Sequence, residues 1–234
     1  RDRVHRDEIS LDSEGLRLET EIKEAIRKMP NNRDRWAGRR DGNRDCIMGA
    51  FHLLQRLYAE EDPRDDNSPA FNHVARVMHR LAVTYGIRDT TIIIAGGLHD
   101  SVEDHPEKLA RMAKSSGADD HAGAVKYVKY EFGFAVGNLV DAVSKRKSPE
   151  GADPDTKILL YTSYAQKVAR NPAALLVKIA DVCDNVSRPR PAHQGGHYSM
   201  KKYALALPIL RNGLERNKKI ILLCLQRLLS QFFL

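Results

Sequence analysis

Apolar residues recur at helical spacing along most of the chain. In IMGAFHLLQRLYAEED, Phe51, Leu54, Leu57 and Tyr58 fall on one stripe. In FNHVARVMHRLAVTYG the stripe is Val74, Val77, Met78, Leu81, Ala82 and Tyr85, and Gly86 is a stop signal. Asp89 or Thr90 caps a helix that runs through TTIIIAGGLHDSVED. FGFAVGNLVDAVSK predicts a helix with Val136, Leu139, Val140 and Val143 inside. KILLYTSYAQKVAR is a helix ended by Asn171-Pro172. AALLVKIADVCDNVSR follows, with Leu175, Leu176, Ile179 and Cys183 as its buried face, and stops before Pro189. Beyond PRPAHQGG, one or two helices lie around Pro208. Residues 110–121 read as an exposed loop, as do His193 and His197 of HQGGH, and His79, His105 and His121 read as surface. There is no alternating strand pattern, internal repeat or low-complexity block, so the class is all-α. The expected divisions are a charged extension over 1–45 (one helix plus a linker around Trp36), a domain over 46–190, and a C-terminal helical extension over 191–234 packed on it.

Composition narrows the function classes. With 29% charged and 42% hydrophobic residues among 234, the chain has material for a real core. The net charge of +7 suits an anionic ligand. The positive residues are scattered without interleaved aromatics, which ranks a small anionic substrate above nucleic acid. Three distant cysteines make no CxxC pair, which argues against a disulfide framework and for a reducing, cytoplasmic compartment. The tail IILLCLQRLLSQFFL is shorter than the roughly 20 apolar residues of a membrane span. It fits a terminal helix packed on the body, or on a second subunit in a homo-oligomer.

Candidate chemistry concentrates in GGLHDSVEDH at 96–105. Residues four apart share a helix face, so His99 pairs with Glu103 and Asp100 with Asp104. Gly96 and Gly97, one turn earlier, allow close approach of another backbone. Carboxylates in a buried segment are costly unless paired or bound to a cation. Imidazole with carboxylate is a reasonable ligand set for Mn, Fe or Zn. His73, at the edge of an apolar stripe, and Asp181, on a polar stripe with Lys178, Asn185 and Arg188, complete a proposed set: His73, His99, Asp100 and Asp181. A divalent ion held this way keeps positions open for water and a phosphate oxygen.

These residues match the HD phosphohydrolase signature. In finer detail the chain resembles the hydrolase domain of the RelA/SpoT-homologue alarmone enzymes and their stand-alone small hydrolases. The shared features are HDSVED, FGFAVGNLVDAVSK, KIADVCDN, and an arginine nine residues before the first histidine with a proline between (Arg64, Pro69, His73). They span roughly 46–190, with a weaker echo in HYSMKKYALALPIL. The resemblance implies an HD-domain helical bundle with a buried metal site, usually loaded with manganese (Mn2+). It implies removal of the 3′-pyrophosphate of (p)ppGpp to give GDP or GTP. Carried over, His73, His99, Asp100 and Asp181 hold the metal, and Glu103 and Asp104 activate water and serve the leaving group. Asn185 contacts ribose or phosphate, and Arg64 stacks on guanine. Lys178 and Arg188 are candidate phosphate contacts. The chain departs from the family at Asp65, Ala70, Val74 and Ser187-Arg188, and in a longer segment at 105–131, all on the side of substrate recognition. Two alternatives stay open. One is an HD phosphohydrolase acting on another nucleotide, such as an NADPH 2′-phosphatase, a nucleotide phosphatase or a cyclic-nucleotide phosphodiesterase. The other is a silent alarmone-binding domain.

Overall fold

The computed structural model describes residues 11–29, 45–64, 67–114, 119–146, 148–187 and 196–229, with side chains of 201–221 in the last segment. Trp36, Asp65, Arg188 and His193 lie outside the described residues. Everything regular that is described is helical.

Helix α1 (Ser13–Arg27) starts where Asp12 accepts a hydrogen bond from the Gly15 amide at 2.8 Å. This is an ordinary N-cap that satisfies one of the helix's free donors. Its apolar side, Leu18, Ile22, Ala25 and Ile26, is buried along α3 (Ala70–His79) and the π-helical turn Arg80–Thr84 that follows. The charged extension is therefore anchored to the core through this helix. Helix α2 (Asp45–Tyr58) buries Phe51, Leu54, Leu57 and Tyr58, the stripe predicted by its spacing.

Helix α4 (Thr90–Leu98), capped by Asp89, lies at the centre, packed by α2, α3, α8 (Phe134–Val143) and α10 (Pro172–Ser187). Ile92 to Leu98 are all buried, so this helix has no polar face. An all-round apolar helix is stable only when other elements enclose it. Gly96 and Gly97 make that enclosure close, but against side chains rather than backbone. A Cβ on Gly96 would lie 2.2 Å from Leu81 Cδ1, and one on Gly97 2.5 Å from Met78 Sδ. The predicted helix through Asp104 breaks at His99-Asp100, and α5 (Ser101–Asp104) resumes as a single turn.

Of 110–121, read as an exposed loop, Ala110–Met112 and Asp120–His121 belong to helices, and 115–118 lie outside the described residues. Helix α6 (Pro106–Met112) starts on a proline, whose fixed φ suits a first helical position, and buries Leu109 and Ala110. It packs on α7 (Asp120–Phe132), so most of the described residues of 105–131 form two packed helices. Gly133, at φ 96°, turns the chain directly from α7 into α8. Helices α9 (Pro154–Val168) and α11 (Gly196–Leu229) flank α10. Pro208 lies inside α11, which is one continuous helix, and His197 is in its first turn rather than in a loop. On α10 the burial differs from expectation. Ile179 and Cys183 are only half-buried, whereas Lys178, Asp181 and Asp184 are buried.

Candidate metal centre

Three helices bring the proposed ligands together. His73 comes from α3, His99 and Asp100 from the end of α4, and Asp181 from α10. One potential ligand atom from each lies within 4.8 Å of the others. His73 Nε2 is 3.5 Å from Asp100 Oδ2 and 3.4 Å from Asp181 Oδ1, and His99 Nε2 is 3.2 and 3.5 Å from the same two oxygens. Two bonds of about 2.1 Å meeting at one ion at a right or tetrahedral angle hold their donor atoms roughly 3.0–3.4 Å apart, so the set fits a divalent cation.

The orientation of each ring supports the fit. His99 Nδ1 donates to the Gly96 carbonyl at 2.7 Å, and His73 Nδ1 lies 2.8 Å from Asp184 Oδ2. Both Nε2 atoms thus face the cluster, buried and without a hydrogen-bond partner. A buried ring nitrogen without a partner is costly, and a cation satisfies it. Without a cation, protons take its place. Burial opposes charge on His73, but Asp100, Asp181 and Asp184 outweigh it and raise the imidazole to about 9. His99 is raised in the same way, and Asp100 and Asp181 are held well below the usual carboxylate range against the cost of burial.

Glu103 and Asp104 project from α5, one turn beyond the proposed ligands. Burial, then the charge of Asp100, raises Glu103 to about 7, while the Lys145 amide donates to its Oε1. The same two causes raise Asp104 to about 6, and the Tyr58 hydroxyl donates to it at 2.9 Å. These are carboxyls able to exchange protons near neutrality. His105, expected at the surface, is buried edge-on against the Tyr58 ring and 3.1 Å from Glu61. His79 is half-buried on Glu21, and His121 on Asp141.

The proposed substrate contacts reach the same place. Lys178 Nζ donates to Asp181 Oδ2 at 2.6 Å and lies over the rings of Tyr164 and Tyr161. Asn185 Nδ2 donates to Asp181, and Arg64 Nη2 donates to Asn185 Oδ1 at 2.9 Å. A recess of about 220 Å³ beside Tyr58 and Glu61 is lined by Pro63 and Pro69, from the loop that carries Arg64. Two residues missed in the sequence also belong here: Asp184, bonded to His73, and Arg76, whose Nε donates to both Asp184 oxygens at 2.9 and 3.1 Å. Arg76 lies three residues after His73, and Asp184 three after Asp181, so each is within one helical turn of a ligand.

Among known proteins, the chain is similar to the probable GTP pyrophosphokinase of Mycobacterium leprae (strain TN), with 28% identity over 151 residues. The alignment covers 63% of this chain but only 16% of the relative. This relative agrees with the RelA/SpoT link drawn from the motifs. No solved structure matches. No described helix is long and apolar enough to cross a membrane. The HD domain family model matches residues 71–186, the segment that supplies every residue of the cluster, and this part of the chain is an HD domain.

Proposed function

We propose that the chain, as a metal-dependent phosphohydrolase of the HD type, hydrolyses the 3′-pyrophosphate of (p)ppGpp to give GDP or GTP and pyrophosphate. The observation that carries this reading is the buried His-Asp cluster with two near-neutral carboxyls on the adjoining turn. His73, His99, Asp100 and Asp181 would hold a divalent cation, manganese by the resemblance. When bound, it supplies positive charge against the negative charge that develops on the phosphoryl oxygens.

The chain's own groups handle the protons. Of Glu103 and Asp104, the ionised one takes a proton from the attacking water and the protonated one gives a proton to the departing 3′-oxygen, as the P–O bond to the ribose breaks. Asp104 is held by the Tyr58 hydroxyl and Glu103 by the Lys145 amide, so neither carboxyl needs to reorganise as charge moves. Arg64, on its loop beside the recess, stacks on the guanine, and Asn185 turns from Arg64 toward ribose or phosphate. Lys178 neutralises Asp181 first. The departures at Asp65 and Ala70 favour a second reading, an HD phosphohydrolase acting on another nucleotide.

The test is product analysis with Mn2+ on ppGpp, pppGpp, GTP, NADPH and a cyclic nucleotide. Pyrophosphate and GDP from ppGpp are expected. Turnover of another nucleotide alone would transfer the reading to that substrate, and no turnover of any would leave a silent binding domain. Arg64→Ala should raise KM for the guanine nucleotide about tenfold with a smaller change in kcat, as for lost ground-state binding. An unchanged KM for every purine turned over would remove Arg64 from the base site.

A further inference from the structure

His73 differs from its partner histidine in how its second nitrogen is held. His99 is oriented by a carbonyl of its own helix, whereas His73 is oriented from α10, by the buried carboxylate of Asp184. That carboxylate is gripped by Arg76 Nε through both oxygens, with Arg80 Nη2 3.8 Å away. Arg76 is buried too, and its Nη1 donates to Glu14 Oε2 on α1 at 3.1 Å. Asn72 Nδ2 donates to the same Glu14 oxygen at 3.2 Å and to Asp12 at 2.9 Å. A continuous path thus runs from the first turn of α1, through Glu14, Arg76 and Asp184, to the imidazole of a ligand.

We propose that Asp184 and Arg76 are positioning residues for His73, and that α1, through Glu14, tunes how tightly this histidine binds a divalent cation. The proposal rests on the metal reading given above. A carboxylate accepting the far N–H of a ligating histidine fixes the ring and its tautomer and makes the other nitrogen a better donor. How much charge Asp184 shares with His73 depends on how fully Arg76 claims it. Glu14 draws part of the guanidinium charge away and leaves more of the Asp184 charge to the imidazole. A mainly stabilising role is the weaker reading, because buried ion pairs are poor sources of net stability and α1 is already held by its apolar face.

The test uses the full chain freed of metal, titrated with Mn2+ in a calorimeter, with the thermal stability of each metal-free variant measured alongside. Asp184→Asn should weaken Mn2+ binding about 10- to 100-fold, the usual scale for a lost partner of a ligating histidine. Glu14→Gln should weaken it about threefold, and that effect should vanish in the Asp184→Asn background, as for sites acting through one path. Glu21→Gln is the control. It alters another polar contact of α1, with His79 at 2.5 Å, off the path, and should leave Mn2+ affinity unchanged. If Asp184→Asn does not fold, Arg76→Lys takes its place, and the Glu14→Gln effect should be lost in that background. Wild-type affinity in Asp184→Asn, or equal losses from Glu14→Gln and Glu21→Gln, overturns the proposal and leaves the metal reading intact. Absence of Mn2+ binding by the wild type overturns both.

Discussion

At neutral pH the Glu103 carboxyl, raised to about 7 by burial and by Asp100, stands between its two protonation states. Its folded value lies above its usual 4.5, so the native state binds this proton more tightly than the unfolded chain does. The stability this gives is complete below about 4.5 and is lost as pH rises through about 7. Glu103→Gln keeps the acceptor for Lys145 and removes the charge. In metal-free protein it should therefore melt higher than wild type at pH 8, with the gap closing at pH 5, while turnover falls about 100-fold or more. A variant that melts below wild type at pH 8 would count against the buried charge. His73 extends the trend upward. Its stabilising proton is lost as pH passes about 9, so metal-free protein should keep losing stability up to pH 9.5, and Mn2+ should reverse the loss because the cation gains as protons leave. The cluster residues were legible because HD and KIAD are short, polar and set within apolar runs. Asp184 and Arg76 were not, because each acquires meaning only from a partner on another helix.

Among elements, the helices with a one-sided apolar stripe were readable from spacing, as α2, α3 and α8 show. Helix α6 was not, since only Leu109 and Ala110 of its short span are buried and what it packs on, α7, is a separate element. The π-helical turn at Arg80–Thr84 leaves no mark in a pattern read at a period of 3.6. Close packing of α4 gives a test at this scale. Alanine at Gly97 gains up to about 1 kcal/mol of helix propensity. Its Cβ, however, would lie 2.5 Å from Met78 Sδ and 2.9 Å from Leu54 Cδ1. Overpacking of this kind costs about 1–3 kcal/mol, so Gly97→Ala should be net destabilising in urea titration despite the better helix former. Because His99 follows two residues later, its affinity for Mn2+ should fall as well. Equal or greater stability would mean that Met78 yields without cost.

For the whole molecule, length, charge and periodicity were enough to predict an all-α domain. The docking of α1 was not readable, because its stripe shows only that it is amphipathic and not which surface it covers. A cation held by the folded cluster and not by the open chain should raise stability by about 2.7 kcal/mol at a hundred times its dissociation constant. The shift should be missing in Asp181→Ala. The separation of the ligands along the chain has a further consequence, for folding kinetics. His73 and His99-Asp100 lie close in sequence, but Asp181 is on α10, roughly 80 residues further on, and bringing such distant segments together carries a loop-closure cost. Complete coordination is therefore expected late, after the transition state. Stabilisation gained that late slows escape from the native state and does not hasten arrival. In stopped-flow dilution experiments Mn2+ should lengthen the unfolding limb's relaxation time several-fold and leave the refolding limb nearly unchanged. Equal acceleration of refolding would show that the helices meet early. In a cell, loss of the cation would then expose the chain to proteases through faster opening, with its folding rate untouched.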